Sequence, residues 1–392
     1  MTYASLTTRL ADLGGAKWEI HARARAMKAA GDAVIELTIG EPDVPTPAAL
    51  LDAACAAMRQ GRTGYSNGQG EPRLLAALAA RYTARRGREI GTDQVMCFPG
   101  TQTTLYAVMM ALAQTGDEVL VGDPMYATYE GVIVATGASM VPVPLRPEHG
   151  FRMQAADVAA RITPRSKVLF LNSPHNPTGA VLTPADLAAL GALAVQHDLW
   201  IVADEVYEDL VFPGVSFASP LSDPALADRV IVASSISKSH AAPGFRSGWC
   251  VGPAEFIRRL LPLSETMLFG NQPFIADMTT LAVSTPSAVA SGMVARFSAR
   301  AAMLHRLLDG VAGLRANQPQ AGMFGLVDVR ATGLSGVEFA NGLLDAQGVA
   351  VMPGESFGAG LAGWLRLSLT QPDDLIAQAC ARIAAHAVTV GG

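Results

Sequence analysis

Charge is scarce in this chain of 392 residues: only 16% of positions are Asp, Glu, Lys or Arg, and aromatic residues make up 6%. The balance is slightly acidic, −5, which excludes nucleic acid and an anionic membrane surface as the main partner. Cys55, Cys97, Cys250 and Cys380 are scattered with no C-x-x-C pair, so neither a disulfide framework nor a zinc site is expected. No apolar run reaches the ~18–20 residues that a membrane-spanning helix needs. The opening MTYASLTTRLADLGG lacks the basic start and apolar block of a signal peptide. A soluble, cytoplasmic protein is the expectation.

What is abundant is small and apolar. Half of the residues are hydrophobic, with alanine supplying much of that share, so a large buried core is possible. The length suits one large domain with a smaller companion. Apolar runs at 95–98, 118–121, 141–145, 168–171, 199–203 and 230–233 alternate with helical patterns near 101–114, 125–136, 154–161 and 184–197. Continuous Val/Ile/Leu runs separated by helices predict a mostly parallel sheet covered by helices on both faces, an α/β layered fold. Helices are also expected at 16–30, 47–60 and 72–85, with a strand at 34–39 between the first two. Past residue 254 the pattern changes to helices at 254–268 and 273–310, strands at 324–329, 349–352 and 365–369, and helices at 336–347 and 373–388. The expected division is a large domain over 45–280 and a smaller α/β domain built from 1–44 and 281–392.

The densest chemistry lies in residues 234–249, SSISKSHAAPGFRSGW. Ser235, Ser237, Lys238 and Arg246 follow an apolar β-branched run, and Pro243 with Gly244 marks a turn able to fold Arg246 back. Hydroxyls and a guanidinium fork suit phosphate oxygens, and lysine is a standard Schiff-base nucleophile. A molecule with an aldehyde at one end and a phosphate at the other, pyridoxal 5′-phosphate, fits both. The other reading is a polar loop with a surface lysine and an arginine bound to a carboxylate.

Other polar groups fall just after the expected strands, where ligands of a doubly wound sheet bind. Pro99-Gly100-Thr101-Gln102 opens a helix, either as a phosphate-binding N-terminus or as an ordinary strand–helix turn. Tyr126 is either core filling or a flat face for an aromatic ligand. The proline-stiffened loop 172–179 fixes Asn176 as a donor. Asp204 ends the apolar run WIVA and needs a partner, since an unpaired buried charge is costly. A protonated pyridine nitrogen, a lysine, an arginine or a helix N-terminus would each serve. His175 and His240 fall in no metal-binding pattern, so they read as hydrogen-bonding or packing groups, and no metal is expected.

In order, IGEPD, Y-x-x-x-x-G with Tyr65 and Gly70, PGTQ, NSPHNPTG, ADEVY, SxSK with arginine eight positions on, VMPGESFG and LRLSL resemble the class I/II aminotransferases. These are pyridoxal-phosphate enzymes of fold type I, the aspartate aminotransferase superfamily, and the match runs from about residue 34 to 370. The resemblance implies that Lys238 holds the cofactor as a Schiff base and moves the Cα proton. It implies that Asp204 pairs with the ring nitrogen, Tyr207 and Asn176 with the ring's phenolic oxygen, and Tyr126 with the ring face. Gly100, Thr101, Gln102, Ser235, Ser237 and Arg246 would surround the phosphate. Tyr65 would reach the phosphate of a neighbouring subunit, which implies a homodimer with shared sites.

Arg366 would grip the substrate α-carboxylate with help from Gly40 and Asn176, and Trp18, with Lys17 beside it, would border the pocket. The implied activity is transfer of an amino group from an L-amino acid to a 2-oxo acid by a ping-pong mechanism. Gln102 stands where one subgroup has lysine, and the stretch 264–272 lacks the arginine that often contacts a distal carboxylate, so a neutral or aromatic donor is expected. A C–S β-lyase on the same fold and a non-catalytic effector sensor are the alternatives.

Overall fold

The protein, analysed as a computed structural model, is described over residues 2–11, 13 and 16–391. Its strands are β1 (Ile35–Glu36), β2 (Val95–Phe98), β3 (Glu118–Asp123), β4 (Ser139–Pro144), β5 (Ser166–Asn172), β6 (Trp200–Asp204), β7 (Val230–Ser235), β8 (Gly248–Val251), β9 (Arg315–Ala316), β10 (Phe324–Asp328), β11 (Val349–Ala350), β12 (Met352–Pro353) and β13 (Trp364–Ser368). Seven of them form one sheet in the order β2-β8-β7-β6-β5-β3-β4. Neighbours run parallel except around β8, which is antiparallel to both β2 and β7.

The expected two-sided burial is borne out. Every residue of β2, β7 and β8 is buried, which requires cover on both faces. Side chains alternate between two core layers, as a strand's period of two dictates. Val230 and Val232 join one layer, Ile231 and Ala233 the other. Helices Pro72–Arg86 and Pro273–Ser284 bring Leu74, Leu78, Ile275 and Met278 to the first layer; helices Thr101–Leu112 and Ala254–Met267 bring Leu105, Val108, Phe256 and Leu260 to the second. Trp249 of β8, buried, donates its indole N–H to the Tyr82 hydroxyl at 3.0 Å and ties the first layer to the sheet.

Register positions the site. Asn172 pairs with Asp204, Asp204 with Ala233, Ser235 with Gly248 and Gly248 with Phe98. The loops that leave β2, β5, β6 and β7 therefore open at one level along the carboxyl edge of the sheet. A second, antiparallel sheet, β12-β13-β10-β9, lines up Arg366 of β13 between Leu326 and Met352. β1 and β11 make a short parallel pair.

Three expectations need correction. The helix expected over 273–310 is two helices, Pro273–Ser284 and Ala290–Leu308. Pro286 cannot continue a helix, and it pushes Thr285 to extended angles, φ −134° and ψ 158°. The helix expected from 125 begins only at Tyr129, after a turn that follows Pro124. The strand expected over 34–39 is reduced to Ile35–Glu36: the Leu37 amide still donates to the Ala350 carbonyl at 2.8 Å, but the Leu37 carbonyl accepts from the Ser368 amide of β13 at 2.9 Å, and Ile39 goes on to line the site. Helix Ser5–Ala11 and strand β9 carry no clear periodic signal and were not expected. No helix among the described residues is long and apolar enough to cross a membrane.

Candidate active site

A cavity of about 250 Å³ lies beyond the carboxyl edge of the large sheet. Residues from nine separate stretches of the chain meet there. Trp18 and Gly40 come from the N-terminal part; Thr101, Gln102, Tyr126 and Asn176 from loops and a helix start; Asp204 and Tyr207 from the turn after β6. Ser235, Ser237, Lys238 and Arg246 follow β7, and Arg366 arrives from the second sheet. Gly100 stands behind Arg246 rather than on the wall. Tyr65 is elsewhere, 91% exposed, with its ring 5.6 Å from that of Phe269, itself 64% exposed. Lys17 does not line the cavity; it pairs with Glu130 at 2.6 Å.

Asp204 forms the deep end. It is 5% exposed, accepts from the Tyr129 hydroxyl at 2.7 Å and from the Val206 amide at 3.1 Å, and no cation of the described residues pairs with it. The next residue differs sharply: Glu205 accepts from Arg86 at 2.9 Å and from Ser219. Burial pushes the Asp204 carboxyl up to about 6, against the opposing pull of Tyr129, the Val206 amide and the charge of Lys238. A carboxylate left without a cation invites a cationic ligand group.

Lys238, half-buried, donates from Nζ to the Gly40 carbonyl at 2.6 Å. Loss of water brings its amine down to about 8; Glu41 opposes this, Arg366 and Arg246 add to it, and Asp204 opposes it. A lysine so shifted is part neutral near pH 7–8, as a nucleophile or proton carrier requires.

The other end of the cavity is built for an anion. Gly100, at φ 89°, turns the chain into helix Thr101–Leu112, whose first residues, Thr101 and Gln102, line the site. A Cβ on Gly100 would lie 2.3 Å from Nη2 of Arg246, so glycine is what lets the guanidinium sit there. The Thr101 hydroxyl is buried without a partner. Ser235 and Ser237 are buried nearby, and the Ser235 hydroxyl already accepts from the Ser237 amide at 3.2 Å. Arg246, at φ 51°, donates to the Pro243 carbonyl at 2.7 Å.

Arg366 is 2% exposed and lies between the Phe324 and Phe357 rings, at 4.0 and 4.3 Å. Its Nη1 donates to Oδ1 of Asn176 at 3.2 Å, its Nη2 to the Thr38 carbonyl at 2.5 Å, and its Nε has no partner. Burial brings it down to about 10, and no carboxylate of the described residues pairs with it. A buried guanidinium without an anion is costly, and the arrangement leaves it open to a carboxylate from outside. Asn176 also donates from Nδ2 to the Tyr207 hydroxyl at 3.4 Å, which links Tyr207 to Arg366. Burial pushes the Tyr207 phenol well up, so it enters as a neutral donor.

His175 bonds Thr178 at 2.7 Å and His240 bonds Ser239 at 2.8 Å; burial holds both rings near 4, neutral at physiological pH, so the hydrogen-bonding reading stands. Gln102 accepts from Thr128 at 2.9 Å. Sequence reasoning missed Tyr129, Phe324, Phe357 and Thr38. For Tyr129 the spacing of three from Tyr126 was a usable signal; the others come from distant strands and turns and had none.

The family described as aminotransferase class I and II matches residues 32–383. The arginine–pyruvate transaminase of Pseudomonas aeruginosa is 44% identical over the full length of both chains. The aspartate/prephenate aminotransferase of Cereibacter sphaeroides is 33% identical over 93% of each chain. The solved aspartate aminotransferase from Thermus thermophilus with maleate superposes with a TM-score of 0.92 at 30% identity, over 98% of this chain and all of that one.

Proposed function

Because the chain belongs to the class I and II aminotransferases, enzymes that move an amino group from an amino acid to a 2-oxo acid, we propose that Lys238 is the residue that bonds pyridoxal 5′-phosphate here. The residues present fit that group. The buried, partnerless Thr101 hydroxyl, the glycine that admits Arg246, and a buried carboxylate with no cation answer its phosphate and its ring nitrogen. When bound, the cofactor supplies an aldehyde to take up the amino group and a cationic ring to draw electrons from Cα.

The chain's own groups do the rest. Thr101, Ser235, Ser237 and Arg246 hold the phosphate, with the helix N-terminus behind them. Asp204 holds a proton on the ring nitrogen, Tyr126 covers the ring face, and Asn176 with Tyr207 donates to the phenolic oxygen. Arg366 binds the substrate α-carboxylate through its fork, which fixes Cα within reach of Lys238. Nζ of Lys238, once displaced, takes the proton from Cα and later returns it. Gln102 contributes a polar edge by the phosphate, and Gly40 and Trp18 close the substrate side. Tyr65 and Phe269 then belong to the contact with a second copy of the chain, where Tyr65 reaches the partner's phosphate. We read 45–280 as the cofactor-binding unit and 1–44 with 281–392 as the smaller one.

The observation that carries this reading is Arg366, a buried guanidinium held by two hydrogen bonds and paired with no carboxylate of the described residues, in one cavity with Lys238. Beyond Lys238, Arg246 and Arg366, which this reading already uses, no further base among the described residues lines the cavity, and Trp18, Ile39, Leu105 and Phe324 add apolar surface, which favours a neutral or aromatic L-amino acid. A second reading, an arginine donor, is favoured by the 44%-identical relative named for arginine and pyruvate. Absorbance scans of cofactor-loaded protein with phenylalanine, leucine, methionine, arginine and aspartate test both. Conversion of the visible band by any of the first three ahead of the last two supports the first reading; arginine in front supports the second. No conversion by any amino donor, with or without a 2-oxo acid acceptor, would remove the function.

A further inference from the structure

Tyr129 opens helix Tyr129–Ala135, three residues after Tyr126, and is 2% exposed. Its ring meets Tyr126 edge-on, with centroids 5.5 Å apart and planes at 81°, and packs on Phe170 at 4.4 Å. Phenylalanine would fill that space equally well. What remains to explain is the hydroxyl, because burying one without purpose is costly. That hydroxyl donates to Oδ2 of Asp204 at 2.7 Å, while Oδ1 is taken by the Val206 amide.

We propose that Tyr129 is a positioning residue that keeps Asp204 ionised and aimed at the ring nitrogen of the cofactor while its ring braces Tyr126. The inference rests on the reading of Asp204 given above. A hydrogen bond donated to the charged form of a carboxyl favours that form, and it acts most strongly where water is absent. The groups facing Asp204 are few. Tyr126 comes from the turn before the helix, Tyr207 from the turn after β6, and Lys238 from the loop after β7. From β5, Asn172 bonds the Asp204 backbone carbonyl and not its carboxylate. Lys238 is the one cation of the group, and its amine bonds Gly40. Burial already holds the Asp204 carboxyl at about 6, so losing the Tyr129 donor would carry it into the range where it is neutral at pH 7.

The test uses cofactor-free protein and the dissociation constant of pyridoxal 5′-phosphate between pH 6 and 9. Tyr129→Phe should bind about tenfold more weakly than wild type near pH 6.5, the size expected for one hydrogen bond to a charged group. That gap should close towards pH 9, where Asp204 is ionised in both proteins. Equal weakening at every pH, or no weakening, would reduce Tyr129 to a packing residue and overturn the inference. Asp204→Ala separates the two layers of argument. If it binds the cofactor as wild type does, the Asp204 reading fails and this inference falls with it; weak binding at every pH leaves the Tyr129→Phe result to decide. Should Tyr129→Phe not fold, 3-fluorotyrosine at position 129 keeps the ring and strengthens the donor, and should shift the pH dependence the other way; an unchanged profile would overturn the inference.

Discussion

Nζ of Lys238 and the carbonyl oxygen of Gly40 are 2.6 Å apart, although the two residues lie 198 positions apart in the chain. The carbonyl accepts a hydrogen bond from the amine without supplying a negative charge. Lys238 is therefore held in place while burial keeps its proton affinity low, with the amine down at about 8.

The first prediction concerns that amine. In cofactor-free protein, the rate of covalent capture of pyridoxal 5′-phosphate should rise with pH up to about 8 and then level off. The direction follows from the chemistry: the neutral amine attacks, so reactivity appears as pH rises through the folded-state value. Stopped-flow absorbance from pH 6 to 10.5 checks this. A rate that keeps climbing to 10.5 would mean an ordinary, solvated lysine. Lys238→Ala should lose both capture and transamination.

Arg366 separates function from stability. Replacing it with alanine removes a charged hydrogen-bonding fork from the proposed carboxylate site and should lower kcat/KM for amino acids roughly 10–100-fold. Arg366→Lys keeps the charge without the fork and should recover only part of that loss. Arg366→Met, similar in volume, removes an unpaired buried charge, so the melting temperature of the ligand-free protein should hold or rise. A fall of many degrees would show that the guanidinium is there for the fold.

Much of this was legible in the sequence because the large sheet is buried on both faces. Runs such as 95–98 and 230–233 read as strands of such a sheet, and polar groups directly after them then fall at its carboxyl edge. That is why Thr101, Asp204, Ser235 and Lys238 could be grouped before their geometry was known. Local breakers were harder to weigh: Pro286 splits one expected helix, and one expected strand ends after Glu36, where the Leu37 carbonyl turns to β13 and Ile39 to the site. The environment of each site group was not legible. Tyr129 meets Asp204 across 75 positions, and Arg366 gains its aromatic sandwich only because β10 and β13 pair and the turn holding Phe357 folds over them. No local pattern encodes contacts of that range.

Gly100 gives a prediction about space. An alanine there would put Cβ 2.3 Å from Nη2 of Arg246 and would hold a side chain at φ 89°. The guanidinium can swing away, so the clash need not unfold the protein, but it would leave the anion site. Gly100→Ala should cost about 1–3 kcal/mol of stability from the backbone conformation and should weaken binding of pyridoxal 5′-phosphate more than it weakens binding of phosphate-free pyridoxal. Equal effects on both, measured by absorbance titration, would separate Arg246 from the phosphate.

The last prediction concerns Tyr65, which is 91% exposed, rests on an exposed Phe269, and lies outside its own chain's cavity. If it serves the site of a second copy, the defects of Tyr65→Phe and Lys238→Ala lie in different chains of each site. A mixed dimer then has one site with neither group and one with both intact. Co-expressing the two inactive or weakened variants with different affinity tags, and purifying through both, should yield a species with about half the wild-type activity per dimer. The Lys238→Ala homodimer should have none. Activity in the doubly tagged species no higher than expected from the Tyr65→Phe chain alone would show that Tyr65 serves no neighbouring site, and the apolar surface it forms with Phe269 would then need another explanation.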